Sequence, residues 1–323
     1  MRRHNRAILF VAGLFSLAAI LFAQQAVRPP AQPQEPATFT AETNLVVLHA
    51  SVVDKNAKLI TNIPKTAFKV YEDGIEQPIK EFLREDVPVS MGIIIDNSGS
   101  MRDKRAKVAA ASLALVKASN PQDEVFLVNF NDVAYLDQDF TNDVKKLEEA
   151  LDHLDARGGT AMRDAISMSI DHAKEKGKHD KKVLVVVTDG NDNTSDITLE
   201  QLVRKARQSE VLIYAIGLLS EEEPRDARAA KKALKLLTEN SGGIDYYPKD
   251  TSEVERITPQ IAHDIRSQYM ISYIPTNLAF DNTYRKISVT VKGFGNPTVR
   301  TRQGRYATAP DAKPPGSTPP PVK

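Results

Sequence analysis

The middle of the chain alternates between short apolar runs and longer segments with apolar residues at helical spacing. Nearly unbroken runs such as 90–95 and 182–188 are typical of strands buried on both faces of a parallel sheet. Segments such as 102–119 repeat apolar side chains every three or four positions, which predicts amphipathic helices. The predicted strands are 90–95, 124–130, 134–140, 182–188, 211–216 and 244–247, and the predicted helices are 102–119, 142–154, 161–176, 198–208, 226–240 and 252–267. This order predicts an α/β fold with a doubly wound, mostly parallel sheet, whose functional groups gather at the carboxyl ends of the strands.

Both flanks of this region are predicted to contain strands. Asp73-Gly74 is a hairpin turn signal in the N-terminal flank, and the C-terminal flank alternates apolar and polar residues. The predicted flanking strands are 45–53, 67–72 and 75–83 on one side and 268–274, 286–292 and 298–302 on the other. Because neither flank has enough strands to bury a sheet face alone, we expect the two to pair as one antiparallel β subdomain. In the last helix, Pro259 is expected to break or restart the helix at Thr258.

The N-terminus has the pattern of a secretory signal peptide. Arg2, Arg3 and Arg6 precede an apolar run of residues 7–23, and cleavage is expected after Ala23. The alternative is an uncleaved membrane anchor, because this run is at the lower limit of what spans a bilayer. We therefore expect export, to the periplasm or the medium.

The expected organisation follows from these patterns and from the clustering of proline at both ends. It is a signal peptide (1–23), a Pro-rich linker (24–37), an N-terminal β flank (38–88), the α/β domain (89–267), a C-terminal β flank (268–307) and a disordered Pro-rich tail (308–323).

Composition narrows the classes of function. With 43 Lys+Arg against 42 Asp+Glu, the chain has no charge excess that would attract nucleic acid or an anionic membrane. It has no Cys, which excludes disulfides, thiolate catalysis and Cys-ligated metals. Its six His are scattered, so a His-rich metal centre is not indicated.

Three polar loops adjoin the predicted strands and helices. Asp96-Asn97-Ser98-Gly99-Ser100 follows the first buried strand, Gly158-Gly159-Thr160 precedes a helix, and Thr188-Asp189-Gly190 ends the strand 182–188. The loops that follow the two strands are expected at the same edge of the sheet, which brings the carboxylates of Asp96 and Asp189 together. Two carboxylates ~4 Å apart would repel by about 4 kcal/mol at an effective dielectric near 20, so a cation between them is expected. Oxygen ligands favour Mg²⁺, Mn²⁺ or Ca²⁺, and few carboxylates with neutral hydroxyls suit octahedral Mg²⁺ best.

The set DNSGS, GGT and TDG, in this order, resembles the von Willebrand factor A domain and its metal-ion-dependent adhesion site. The resemblance covers about 89–267. It implies that Ser98 and Ser100 are direct ligands, that Thr160 is the third hydroxyl, and that Asp96 and Asp189 act largely through bound water. It also implies an open coordination position that a Glu or Asp of a partner protein fills.

The whole chain resembles more specifically the secreted bacterial von Willebrand factor A-related proteins named for Acidobacteria. The segments that are similar read YEDGIEQPIKEF, SQYMISYIP and RKISVTV.

Simpler interpretations of the same residues exist. Asp96, Ser98 and Ser100 could cap the following helix, and Gly158-Gly159-Thr160 could cradle phosphate. A nucleophile elbow around Ser98 would need Gly where Asp96 stands. No third carboxylate or His is expected near the loops as a general base. The basic run 225–235 is taken as a solvated helix face whose charge 221–223 offset.

The function predicted from the sequence is therefore metal-dependent protein binding, not catalysis. The residues expected to give selectivity are Asn97, Met101, 131–133 and 191–193. The alternatives are a periplasmic scaffold with a structural metal and a metal-dependent hydrolase.

Overall fold

Strands and helices alternate through the middle of the chain, and both flanks contain strands. The computed structural model describes residues 45–56, 58–84, 86–152 and 156–308. The strands are β1 (Val46–Val53), β2 (Phe68–Glu72), β3 (Ile75–Gln77), β4 (Ile79–Leu83), β5 (Val89–Asp96), β6 (Glu124–Phe130), β7 (Ala134–Thr141), β8 (Lys181–Thr188), β9 (Leu212–Gly217), β10 (Asp245–Tyr246), β11 (Tyr269–Tyr273), β12 (Tyr284–Val291), β13 (Thr298–Arg300) and β14 (Gly304–Tyr306). The α-helices are α1 (Arg105–Ala118), α2 (Val144–Asp152), α3 (Met162–Lys176), α4 (Leu199–Ser209), α5 (Pro224–Ser241) and α6 (Val254–Arg266).

A six-stranded sheet with the order β10-β9-β8-β5-β6-β7 forms the centre of the α/β region. Its neighbouring strands are parallel, except that β7 runs antiparallel to β6 at one edge. Helices α1, α2 and α6 pack on one face, and α3, α4 and α5 pack on the other. Both faces of the central strands are buried, which is why β5 and β8 read as continuous apolar runs. The predicted doubly wound α/β fold is confirmed.

The two flanks form a β subdomain of two four-stranded antiparallel sheets, with the orders β13-β1-β11-β4 and β14-β12-β2-β3. Each sheet combines strands from both flanks, since Leu48 pairs with Ile271 and Val70 pairs with Val289. These four side chains belong to one buried core between the sheets. The expected pairing of the flanks is therefore confirmed.

Proline explains one departure from the predicted strands. Residues 75–83 are divided at Pro78 into β3 and β4, which belong to different sheets. Pro78 has no N–H to give to a ladder, so the chain can leave one sheet and enter the other there. Strand β14 was not predicted.

Pro259 does not break the last helix, contrary to the prediction. α6 runs continuously from Val254 to Arg266 through Pro259. The proline removes a single N–H bond near the first turns of the helix, and the buried face, including Ile257 and Ile261, packs against the central sheet. That burial outweighs the lost bond.

The predicted signal peptide, the linker and residues 309–323 of the predicted tail lie outside the described residues. The end of the predicted helix 142–154 does so as well, since 153–155 are not described. Among the residues that are described, no helix is both long enough and apolar enough to cross a membrane. The domain boundaries given above remain predictions.

Candidate metal centre

The candidate centre begins where two neighbouring parallel strands end. β5 ends at Asp96 and β8 ends at Thr188, with Ile95 paired to Val187 one position earlier. Thr188 Oγ1 donates a hydrogen bond of 2.6 Å to Asp96 Oδ2. Asp96 is 1% exposed, so its carboxylate lies inside the protein at the edge of the sheet.

Two serines connect Asp96 to Asp189 through a continuous set of short contacts. The backbone N–H of Ser98 donates to Asp96 Oδ1 over 2.9 Å, and the Ser98 and Ser100 hydroxyl oxygens are 3.1 Å apart. Ser100 Oγ donates to Asp189 Oδ1 over 2.8 Å. Residues 96, 98, 100 and 189 therefore form one cluster, although 89 residues separate Ser100 from Asp189.

Thr160 reaches the same cluster from the loop before α3. Ser98, Ser100 and Thr160 line one cleft of about 260 Å³. The Thr160 backbone N–H donates to Asn193 Oδ1 over 2.9 Å, and the Gly159 N–H donates to Asp132 Oδ1 over 2.7 Å. The structure thus brings together all five residues of the predicted ligand set, and the side chains of Asn193 and Asp132 fix the loop that presents Thr160.

The electrostatics of the cluster favour a cation. Burial raises the pKa of Asp96 to about 6, hydrogen bonds from Ser98 and Thr188 oppose this rise, and the nearby charge of Asp189 adds to it. No ion pair reaches Asp96 within the described residues, whereas Asp189 is paired with Lys104 at 2.7 Å. A buried carboxylate with no cationic partner, beside a second carboxylate, fits a site that holds a positive ion.

The donor set determines which kind of ion would fit. Within the described part of the chain, no three His, Cys, Asp or Glu side chains lie together in a way that could hold a metal. The cleft instead offers hydroxyl oxygens next to carboxylates. Such oxygen donors suit a hard cation rather than zinc or copper.

Several acidic side chains of the cleft were not identified from the sequence as site residues. Glu222 and Asp226 line it, and a Cβ built on Gly190 would lie 3.5 Å from Glu222 Oε1 and 3.9 Å from Thr160 Oγ1. Burial and the charge of Asp189 raise the pKa of Glu222. The expectation that no third carboxylate lies near the loops is therefore wrong.

The selectivity residues predicted from the sequence need correction as well. Met101 is 0% exposed and belongs to the hydrophobic core, because residues 99–101 form a short 3₁₀ helix that turns its side chain inward. Asn97 and Asn131 are also buried. Of the predicted set, residues 132–133 and 191–193 remain at least partly exposed beside the cleft.

Comparison with known proteins assigns a family to this part of the chain. The sequence profile described as the von Willebrand factor type A domain matches residues 91–191, which include all five clustered residues. The chain contains a von Willebrand factor type A domain.

Curated relatives are similar to part of the chain. Mouse integrin alpha-11 is 39% identical over 80 residues, which are 24% of this chain and 7% of the integrin. Mouse calcium-activated chloride channel regulator 1 is 27% identical over 169 residues, which are 49% of this chain and 17% of the regulator. The chain thus spans less than a fifth of the length of these relatives.

Among solved structures, a von Willebrand factor type A protein from Catenulispora acidiphila is similar at 14% identity with a TM-score of 0.49. The match covers 84% of this chain and 75% of that one. Domains of the von Willebrand factor A family are typically protein-interaction modules, and they often bind a divalent metal at the adhesion-site motif.

Proposed function

We propose that the von Willebrand factor A domain binds Mg²⁺ through Asp96, Ser98, Ser100, Thr160 and Asp189. The bound ion captures an Asp or Glu side chain of a partner protein outside the cytoplasm. The observation that carries the proposal is that three hydroxyl residues from two loops line one open cleft, and that the buried carboxylates of Asp96 and Asp189 are hydrogen-bonded to two of these residues, Ser98 and Ser100.

The spacing of the oxygens supports a small octahedral ion. Mg²⁺–O distances near 2.1 Å place neighbouring ligands about 3 Å apart, and the longer Ca²⁺–O distances place them roughly 3.5 Å apart. The Ser98–Ser100 and Ser100–Asp189 oxygen pairs are separated by 3.1 and 2.8 Å. These pairs are hydrogen bonds in the structure, so these two oxygen spacings are set before an ion binds. Mn²⁺ has similar preferences and serves as a substitute, whereas Ca²⁺ fits less well.

The cleft supports capture of a carboxylate rather than of a large ligand. It is lined mainly by polar side chains and glycines, and a volume of about 260 Å³ admits little more than one side chain. A partner carboxylate that binds a partly desolvated cation gains a strong charge-assisted contact. Export is supported by the basic residues and the apolar run at 1–23.

Thermal unfolding with and without Mg²⁺ tests the site. Mg²⁺ at about 100 times its Kd should add about 2.7 kcal/mol to the free energy of unfolding of the wild type. Asp96→Asn keeps the shape of the side chain and should lose this gain, whereas Asp103→Asn, an exposed control in the same loop region, should retain it. An unchanged wild-type melting curve would count against the site.

Capture from the native envelope tests the partner and separates the scaffold alternative. Wild-type protein should retain a partner in Mg²⁺ and release it in EDTA, and a short Glu-containing peptide should compete. A scaffold with a structural metal would keep its partner after chelation as long as the fold survives.

The position of Glu222 favours one second candidate, a metal-dependent hydrolase in which Glu222 is the general base. Hydrolysis of simple phosphate or carboxylate esters that requires Mg²⁺ and is lost in Glu222→Gln would support it. Absence of such hydrolysis, with Mg²⁺ binding intact, would leave the binding function.

A further inference from the structure

Lys104 places a positive charge next to Asp189, one of the residues proposed to hold the metal. Its Nζ lies 2.7 Å from Asp189 Oδ2 and 3.0 Å from Glu221 Oε2. The Lys104 side chain is 14% exposed and Asp189 is 1% exposed, so this contact is largely shielded from water, whereas Glu221 is 74% exposed.

The position of Lys104 in its helix is unfavourable in itself. It is the N-cap residue of α1, and its side chain makes no capping hydrogen bond. A cation at a helix N-terminus opposes the helix dipole, and Ser, Thr, Asp or Asn is the usual choice there. The contacts of Lys104 to Asp189 and Glu221 compensate for this unfavourable placement.

In this pairing both side-chain oxygens of Asp189 already accept a hydrogen bond. Oδ1 accepts from Ser100, and Oδ2 accepts from Lys104. A divalent cation, or a water bound to it, needs a carboxylate oxygen on this side of the cleft, and the ammonium group repels that cation. Because Lys104 also contacts Glu221, it keeps a carboxylate partner when it releases Asp189.

We propose that Lys104 is a built-in counter-ion that competes with the divalent cation for Asp189. It lowers the affinity of the site and couples cation binding to the segment Leu219–Glu221. This inference rests on the proposed metal-binding function. When the cation binds, Lys104 gives up its contact to Asp189 and keeps its contact to Glu221, so the short 3₁₀ helix that carries Glu221 responds to the occupancy of the cleft.

Titration of the full chain with Mn²⁺, followed by the electron paramagnetic resonance signal of free Mn²⁺, tests the competition. Lys104→Met should bind Mn²⁺ at least tenfold more tightly than the wild type, because the competing charge is removed. Lys107→Met, an exposed lysine on the same helix, should bind like the wild type. Glu221→Gln should bind roughly threefold more weakly, because Lys104 then has no second carboxylate.

Two further measurements keep the outcomes separable. Lys104→Gln serves as a second variant if Lys104→Met unfolds, and circular dichroism establishes the fold of each. Mg²⁺ should change hydrogen exchange at residues 219–222 in the wild type and not in Lys104→Met. Equal or weaker Mn²⁺ binding by both Lys104 variants would overturn the counter-ion role alone. Absence of Mn²⁺ binding in the wild type and in every variant would overturn the proposed metal site and this inference together.

Discussion

Gly158 fixes the backbone that carries Thr160 into the cleft. It has a φ of +77°, which L side chains rarely adopt, and a Cβ there would clash with the Asp132 carboxylate. We expect Gly158→Ala to lower the free energy of unfolding by about 1–3 kcal/mol and to abolish stabilisation by Mg²⁺. Urea unfolding with and without Mg²⁺ measures both effects.

Gly99 provides the matched control for this substitution. It lies in the same site, and a Cβ added there would be 3.8 Å from its nearest neighbour, the carbonyl oxygen of Gly158. Gly99→Ala should therefore keep the response to Mg²⁺. If both variants respond like the wild type, the geometry of the Thr160 loop does not control the site.

Lys181 gives the protein a pH dependence that is independent of the cleft. Burial lowers its pKa to about 8, and its ammonium donates to the carbonyl oxygen of Ile265 at the end of α6. Between pH 8 and its ordinary pKa of 10.5, the unfolded chain keeps a proton that the folded protein has released. The unfolded state binds more protons there, so the contribution of this group to stability rises with pH.

Wild type and Lys181→Met should therefore differ by an amount that depends on pH. From pH 7 to 9.5, we expect the free energy of unfolding of the wild type to rise relative to that of the variant by roughly 2 kcal/mol. Lys178→Met, which removes a side chain that is 80% exposed, controls for loss of a surface charge. A difference that stays constant over this range would contradict the assignment.

At the residue scale, the site residues that lie at strand ends could be predicted from the sequence. The site residues whose positions depend on tertiary packing could not. Asp96 and Asp189 could be placed together because parallel strands end at one edge of a sheet. Lys104 and Glu222 could not, because their positions depend on where α1 and the segment before α5 pack. The inward turn of Met101 likewise depends on a short 3₁₀ helix that its local sequence did not signal.

At the scale of elements, the end of α6 is tied to its surroundings by buried polar groups. Tyr214 on β9 donates to Asp264 Oδ2 over 2.5 Å, and Gln268 Nε2 lies 3.2 Å from both Tyr214 Oη and Ser51 Oγ. This network connects α6, the central sheet and β1 at the point where the chain enters β11. A movement of α6 would therefore change its contacts with the β subdomain.

Removing the Tyr214 hydroxyl should weaken this connection. Tyr214→Phe removes a hydrogen-bond donor from the buried Asp264, so we expect a loss of about 2 kcal/mol in the free energy of unfolding, measured in urea. Tyr135→Phe on exposed β7 should have little effect. Equal stabilities of the two variants would show that the hydroxyl does not contribute.

Hydrogen exchange tests whether cation binding reaches the subdomain through this element. With Mg²⁺, we expect changed protection in Tyr269–Tyr273 as well as in the cleft loops. Tyr214→Phe should reduce the change in β11 and leave that in the loops. Protection changes confined to the loops of the wild type would refute coupling through α6.

Strands and helices could be predicted where the spacing of apolar residues matches the buried face of the element, as in β5, β8 and the helices between them. They could not be predicted at prolines, because a proline can either separate two strands or lie inside a helix. Pro78 separates two strands, whereas Pro259 lies inside α6, and the difference comes from the tertiary packing of each segment. The pairing of the two flanks could be predicted by counting their strands. The division of these strands between two sheets could not, because it depends on pairing between residues far apart in the sequence.

At the scale of the whole molecule, side chains join the α/β domain to the β subdomain at several points. Arg302 pairs with Glu210 at 2.8 Å, and the guanidinium of Arg207 lies 4.6 Å from the ring centre of Tyr284. The Arg302 side chain is 8% exposed, whereas that of Glu210 is 62% exposed, so the pair lies at the protein surface. Together with the Gln268 contacts, these interactions favour unfolding of both parts as one unit.

We therefore expect a single calorimetric transition whose van't Hoff enthalpy equals the calorimetric enthalpy, and we expect Mg²⁺ to shift all of it. Arg302→Ala removes one contact between the two parts and should split the transition, so that Mg²⁺ shifts only the part that belongs to the α/β domain. Lys286→Ala, an exposed change on β12, should leave one transition. Two transitions in the wild type, of which Mg²⁺ shifts only one, would contradict this expectation. In that case the β subdomain unfolds as a separate unit whose stability does not depend on cation binding in the cleft.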